Sequence, residues 1–166
     1  NCWEWVTLNH ECIAGITACI EYITSLGGSM PQHSGAAKTG NSGRRAAIES
    51  AYTVIHQHER VLLERMATGL KRIPGLKIYG ITDPAFFDQR CATFAVRVDG
   101  FTPLELATQL GERGFFTWDG NYYAISVTEH FDVEKSGGFL RIGLVHYNTV
   151  DEVDALLSAL REIVKQ

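Results

Sequence analysis

The chain has 166 residues, of which 45% are hydrophobic and 20% are charged, so it is long enough for one compact domain with a core. Its formal charge of -4 at pH 7 argues against a nucleic-acid partner held by phosphate contacts, and its apolar runs are too short to cross a bilayer. No signal peptide is visible in residues 1–9, and the four cysteines show no CxxC spacing, which together predict a cytoplasmic protein with reduced thiols.

The first 43 residues are interpreted as a helix and a linker. Isoleucines recur at helical spacing through residues 10–26, Asn9 is a suitable N-cap, and Gly27 and Gly28 end the helix. The Gly/Ser-rich stretch 27–43 predicts a flexible surface connection. Because the sequence begins at Asn1 rather than methionine, it is interpreted as a piece of a longer protein.

Residues 44–73 predict one long amphipathic helix, which the dipeptide Pro74-Gly75 ends. His56 and His58 lie two residues apart and therefore on different faces of this helix, so no metal site is predicted there.

The next part of the chain predicts short strands separated by a helix. Strands are expected at 76–79 and 91–98, and Thr102 is expected to cap a helix that runs to about residue 113. A further strand at 115–118, the dipeptide Asp-Gly at 119–120 and a return strand at 122–127 predict a β-hairpin.

The segment GGFLRIGLVHYNTVDEV, residues 137–153, predicts a buried strand, a tight corner and a helix opened by Thr149 and Glu152 as a capping box. Arg141 stands in the middle of the strand, where it either pairs with a nearby carboxylate of the chain or serves as an anion-binding group. The whole pattern predicts an α+β fold, in which helices cover a small mixed or antiparallel sheet. Residues 44–166 would form this domain.

From about Gly69 onward the chain resembles the C-terminal domain of class V aminotransferase-like enzymes, which use pyridoxal phosphate (PLP). The resemblance is carried by GERGFFTWDGNYYA (111–124), by FLRIGLVHYNTVDEVDALLSAL (139–160) and by VTLNHECIAG (6–15). It is nearest to the cysteine desulfurase and selenocysteine lyase branch, and it implies the small domain of PLP fold type I, preceded by a long linking helix.

The resemblance implies roles for individual residues. Arg141 matches the arginine that binds the carboxylate of the amino-acid substrate, and Thr7 matches a threonine that reaches the cofactor phosphate of the partner subunit. Asn121, Tyr122 and Tyr123 would line the substrate side of the pocket; the alternative is an ordinary hairpin with exposed tyrosines. Tyr123 stands where desulfurases of this type have a nucleophilic cysteine, so desulfurization through that position is not expected.

The resemblance also implies what this chain lacks. The lysine that bonds to PLP belongs to the family's large domain, and none of the five lysines here lies in the family's lysine motif. The 166 residues alone are expected to have no catalytic residue, no metal and no stably bound PLP, and to work with their own large domain in a homodimer. Two other functions stay open: a stand-alone regulatory domain that binds a small carboxylate, and a dimerisation module built on the long helix.

Overall fold

The computed structural model describes residues 8–28 and 41–165. The chain divides into two compact units, Asn1–Gln57 and His58–Gln166. This division is by compactness alone, and the predicted domain boundary at residue 43 stays a prediction. Most of the predicted linker lies outside the described residues.

The first unit contains helix α1 (His10–Gly27) and the beginning of helix α2 (Asn41–Leu70). Asn9 caps α1 as predicted, because its Oδ1 accepts a hydrogen bond of 3.0 Å from Cys12 N. The two helices approach closely at Gly27, where an added Cβ would lie 2.3 Å from the carbonyl oxygen of Ala47. Only a residue without a side chain fits this crossing.

The second unit is built on a four-stranded sheet with the spatial order β1-β2-β4-β3. Its strands are β1 (Leu76–Tyr79), β2 (Thr93–Val98), β3 (Trp118–Gly120) and β4 (Phe139–Gly143), and every neighbouring pair is antiparallel. Together with the helices this confirms the predicted α+β class.

One hydrophobic core joins the sheet to the end of α2, to α3 (Pro103–Glu112) and to α5 (Val150–Val164). The side chains that are fully buried come from all four parts: Leu62, Met66, Leu70, Phe94, Val96, Leu106, Leu110, Leu140, Ile142, Leu157, Leu160 and Ile163. Capping boxes begin α3 at Thr102, where the sequence predicts an N-cap, and α5 at Thr149, where it predicts the box itself. Two short 3-10 helices lie between these elements, Pro84–Gln89 between β1 and β2 and Glu134–Ser136 before β4.

The predicted hairpin at residues 115–127 is wrong. Trp118, Asp119 and Gly120 are strand residues that pair with Arg141, Leu140 and Phe139 of β4, so Asp-Gly does not form a two-residue turn. The expected return strand is replaced by a turn and the short helix α4 (Ile125–His130). The physical reason is that β3 pairs with a strand almost twenty residues further along the chain, which a local turn signal does not reveal.

Candidate functional site

Strand β4 places Arg141 on the open face of the sheet. Its neighbours Leu140 and Ile142 are buried in the core, and successive side chains of a strand point to opposite faces, so Arg141 is exposed. The guanidinium therefore avoids the cost of burying an unpaired charge.

The surroundings of Arg141 are aromatic. The Cζ atom lies 5.7 Å from the centre of the Tyr122 ring, within the range of a cation–π contact, and Trp118 is its cross-strand neighbour on β3. Within residues 8–28 and 41–165 no carboxylate forms an ion pair with Arg141. Because β4 is an interior strand and the cation has no internal partner there, its hydrogen-bond donors are available to an external anion.

The turn after β3 has an unusual backbone. Tyr122 and Tyr123 have φ angles of 52° and 62°, in the left-handed region that residues with a Cβ rarely adopt. Asn121 closes the turn twice, since its carbonyl oxygen accepts from Ala124 N at 2.7 Å and its side-chain Oδ1 accepts from Tyr123 N at 3.1 Å.

The Tyr122 side chain turns back onto the sheet. Its hydroxyl donates to the carbonyl oxygen of Trp118 at 2.7 Å and also lies against the carbonyl oxygen of Phe139. Burial raises the pKa of Tyr122 well above its ordinary value; the charge of Asp119 adds to this rise, and Arg141 partly opposes it. The phenol therefore stays protonated and acts as a donor to the sheet, not as a base.

These residues enclose a cavity of about 400 Å³. It is lined by Trp118, Asp119, Gly120, Asn121, Tyr122, Tyr123 and Arg141. The structure thus brings together Arg141, Asn121, Tyr122 and Tyr123, the four residues that the sequence singled out for substrate binding. Thr7, the predicted phosphate-binding residue, lies outside the described residues.

Sequence reasoning missed three residues of the lining, which are Trp118, Asp119 and Gly120. Trp118 and Asp119 belong to β3, and they reach the site only because β3 pairs with β4 beside Arg141. The aromatic pattern FFTW was visible in the sequence, but the incorrect hairpin assigned its partner to residues 122–127. Correct pairing of β3 would have placed Trp118 next to Arg141.

The cavity does not supply the group that bonds to PLP. No lysine of the described residues is among its lining residues; Lys71 donates to the carbonyl oxygen of Thr82, and Lys77 lies over the Tyr79 ring. The residues present do not fit a covalent PLP site by themselves. In the described part of the chain no three metal-ligating side chains cluster, and no helix there is both long and apolar enough to cross a membrane.

The chain is similar to known proteins over most of its length. The family model for class-V aminotransferases matches residues 42–156. A cysteine desulfurase from Synechococcus elongatus is 30% identical over 125 residues, which are 73% of this chain and 19% of that protein. A cysteine desulfurase from Serratia proteamaculans is 29% identical over 130 residues, which are 76% of this chain and 30% of that protein.

Solved structures show the same fold. The apo cysteine desulfurase of Thermococcus onnurineus matches 75% of this chain and 29% of its own, with a TM-score of 0.63 and 22% identity. The Escherichia coli cysteine desulfurase CsdA matches 78% of this chain and 32% of its own, with a TM-score of 0.57 and 22% identity. In all four comparisons the 166 residues span no more than about a third of the relative.

Proposed function

Because the chain belongs to the class-V aminotransferase family, we propose that it forms the C-terminal part of a PLP-dependent enzyme that acts on an amino acid. In this proposal Arg141 binds the substrate's carboxylate. The observation that carries it is an arginine without an internal carboxylate partner among the described residues, exposed at a cavity of about 400 Å³.

The chemistry of arginine suits this role. The guanidinium is charged at every physiological pH and presents parallel N–H donors that match the two oxygens of a carboxylate. The Tyr122 ring beside it restricts the side chain before a ligand arrives, so less conformational freedom is lost on binding. Asn121 and Tyr123 would form the wall that faces the rest of the substrate.

No cysteine of the described ranges lines the cavity. Tyr123 stands at the tip of the turn with its ring fully exposed, and Cys12, Cys19 and Cys91 are not lining residues of the cavity. We therefore propose a PLP reaction that does not use a cysteine at this turn as sulfur acceptor, even though the similar proteins are named cysteine desulfurases.

The cofactor and its lysine would come from outside these 166 residues. PLP supplies an electron sink for bonds at the substrate's α-carbon, and this chain supplies the carboxylate site and part of the wall. Thr7 would contact the phosphate of PLP across a homodimer, and the complete protein would work in the cytoplasm. These assignments follow the family resemblance.

Titration with L-alanine tests the role of Arg141. The NMR shifts of the Trp118 indole and the Tyr123 amide should move on addition of alanine, with a dissociation constant of about 1 mM or weaker, because one open charged contact gives little affinity. Arg141→Lys should weaken binding by about tenfold or more, since lysine lacks the bidentate fork. The matched control is Arg113→Lys, which changes an exposed arginine at the end of α3.

Two results would count against the proposal. Equal binding by the wild-type chain and Arg141→Lys would remove Arg141 from the site. Micromolar binding without PLP would favour the stand-alone regulatory domain over the enzyme domain.

A second experiment tests the absence of a cofactor lysine. The chain is mixed with PLP, reduced with borohydride, and analysed by mass spectrometry for adducts. Scattered substoichiometric labelling of surface lysines is expected. One stoichiometric adduct at a single lysine would show that this chain carries its own cofactor site.

A further inference from the structure

The backbone conformation at Tyr122 and Tyr123 must be stabilised by contacts with other residues. Two consecutive residues with a Cβ have positive φ angles, and neither is glycine. Such a backbone persists only where surrounding contacts favour it over the ordinary conformation. Tyr123 gives no support through packing, because its side chain is fully exposed.

Asn121 is the immediate support, and Glu134 fixes its orientation. The Nδ2 of Asn121 donates to Glu134 Oε1 at 2.8 Å, while its Oδ1 accepts from Tyr123 N at 3.1 Å. A carboxylate only accepts hydrogen bonds, so it must face the NH2 end of the amide. The amide oxygen is thereby directed at the backbone N–H of Tyr123.

Glu134 is itself held in place. Its other oxygen accepts a hydrogen bond from the hydroxyl of Thr128, the single buried polar residue in the described part of the chain, at 1% exposure. The hydrogen bonds from Thr128 and Asn121 hold the pKa of Glu134 below its ordinary value. Both carboxylate oxygens are therefore used, and the charged form is the favoured one.

We propose that Glu134 is a positioning residue for the candidate site. Through Asn121 it keeps the Tyr122–Tyr123 turn in its left-handed conformation, and this places the Tyr122 ring beside Arg141. Glu134 does not line the cavity, so its effect on a ligand is indirect. The inference rests on the proposed function only for its ligand readout; the conformation of the turn is measured independently.

Loss of Glu134 has a specific consequence. Without the carboxylate, the Asn121 amide is free to rotate, the Tyr123 N–H loses its acceptor, and the two tyrosines relax toward negative φ. The Tyr122 ring is then held only by its hydroxyl contacts with the carbonyl oxygens of Trp118 and Phe139, so its position beside Arg141 becomes less ordered. The sheet does not depend on this contact, because β3 and β4 are joined by their own backbone pairing.

The test compares Glu134→Ala with Glu129→Ala, which removes an exposed glutamate of α4 with no side-chain partner within the described ranges. In Glu134→Ala, the Tyr123 amide should exchange its hydrogen about tenfold faster or more, as expected for one lost hydrogen bond. Amides of β4 should keep their protection, and Arg141-dependent alanine binding should weaken several-fold. Glu129→Ala should change none of these.

Two further variants keep the result interpretable if Glu134→Ala unfolds. Glu134→Gln can still accept from Asn121 and should cause a smaller loss of Tyr123 protection. Thr128→Val removes one donor to Glu134 at nearly constant volume and should also loosen the turn.

Each outcome bears on one claim. Unchanged Tyr123 protection in a folded Glu134→Ala protein would overturn the positioning role. Lost protection with unchanged Arg141-dependent binding would overturn its importance for the site. Lost Tyr123 protection in Glu134→Ala, together with a wild-type chain that binds no alanine, would support the positioning of the turn and overturn the proposed function instead.

Discussion

Two turns adjoin β4, and they are stabilised in different ways. At the corner that follows β4, Val145 N donates to Asn148 Oδ1 at 2.9 Å, and Thr149 and Glu152 cap each other's backbone N–H groups. At the turn after β3, the partners are remote, because Asn121 is bound by a residue 13 positions away and Tyr122 contacts a carbonyl 17 positions away.

This difference explains why the corner after β4 could be predicted from the sequence and the turn after β3 could not. The corner carries its capping side chains within itself, and His58 Nε2 of a distant segment adds a hydrogen bond of 2.8 Å to the carbonyl oxygen of Asn148. The turn after β3 also has local hydrogen bonds to Asn121, but the groups that hold Asn121 and Tyr122 from elsewhere are distant in the sequence. Its conformation therefore depends on contacts with the part of the chain that leads into β4.

The largest expected effect comes from Gly138, which directly precedes β4 and lies against Gly120 at the end of β3. The turn after β3, which is held by contacts distant in the sequence, is called the remote turn below, and the turn after β4 is called the local corner. A Cβ at Gly138 would lie 2.2 Å from the carbonyl oxygen of Gly120, at a φ of 70°. Gly138→Ala should therefore lower the free energy of unfolding by about 3 kcal/mol or more. Urea denaturation measures the change.

Substitution of the neighbouring Gly137 measures the cost of a left-handed backbone without the steric clash that a Cβ at Gly138 would cause. Gly137 has a φ of 89°, but an added Cβ would meet only Pro103 Cδ at 3.5 Å, an ordinary contact. Gly137→Ala should cost only about 1–2 kcal/mol, the penalty for left-handed backbone alone. Equal effects of the two substitutions would show that β3 and β4 separate easily at this point.

An intermediate effect is expected at the local corner. Thr149→Ala removes the N-cap of α5 and should lower the free energy of unfolding by about 1 kcal/mol. Tyr123 amide protection should not change, because the corner does not depend on the remote turn. Thr108→Ala is the control, since this exposed threonine lies inside α3, where alanine is the better helix former.

A smaller effect of opposite sign is expected at the remote turn. Tyr123→Gly relieves the left-handed backbone at a fully exposed position, although glycine is more flexible in the unfolded chain. The free energy of unfolding should rise by less than about 1 kcal/mol. A clear loss of stability would mean that the Tyr123 side chain makes a stabilising contact.

The pH dependence connects the two turns. Hydrogen bonds from the Thr149 backbone lower the pKa of Glu152, and those from Thr128 and Asn121 lower the pKa of Glu134. Because the folded-state pKa lies below the unfolded one, each contribution is present above the unfolded value of about 4.3 and is lost as pH falls through the folded value. The free energy of unfolding should therefore fall less steeply with decreasing pH in Glu152→Gln than in the wild-type chain.

The smallest effect is expected at an ion pair away from both turns. Arg65 donates to both oxygens of Asp154 at 2.7 Å, but both side chains are partly exposed. Asp154→Asn should change the melting temperature less than Thr149→Ala does. High salt should remove the difference in melting temperature between the wild-type chain and Asp154→Asn. A larger and salt-independent loss would show that this pair orders α2 against α5.

The sequence was informative where a pattern and its cause lie close together. Strand β4 was predicted from a nearly continuous apolar run, α3 from Thr102 as its N-cap and α5 from its capping box, and Arg141 stood out as a charge inside the apolar run. The exposed position of Arg141 also follows from the period of a strand. The predictions of β4, α3 and α5 rest on local physics and are confirmed, whereas the role of Arg141 stays a prediction.

The sequence was not informative where long-range pairing decides. Asp119-Gly120 is a strong hairpin signal, but the pairing of Gly120 with Phe139 overrides it. Trp118 lies at the candidate site only because of that pairing, and Glu134 contacts the site's Asn121 from 13 residues further along the chain. Propensity alone also gives no reason to expect Tyr122 and Tyr123 at positive φ.

The most direct test of the central claim compares two ligands that differ only in the carboxylate. L-alanine and L-alaninamide are titrated into the wild-type chain while the Arg141 Nε–H resonance is followed by NMR. Our account predicts that alanine shifts this resonance in a saturable manner and that alaninamide leaves it nearly unchanged. Equal shifts from both ligands, or none from either, would contradict the assignment of Arg141 as the carboxylate-binding residue.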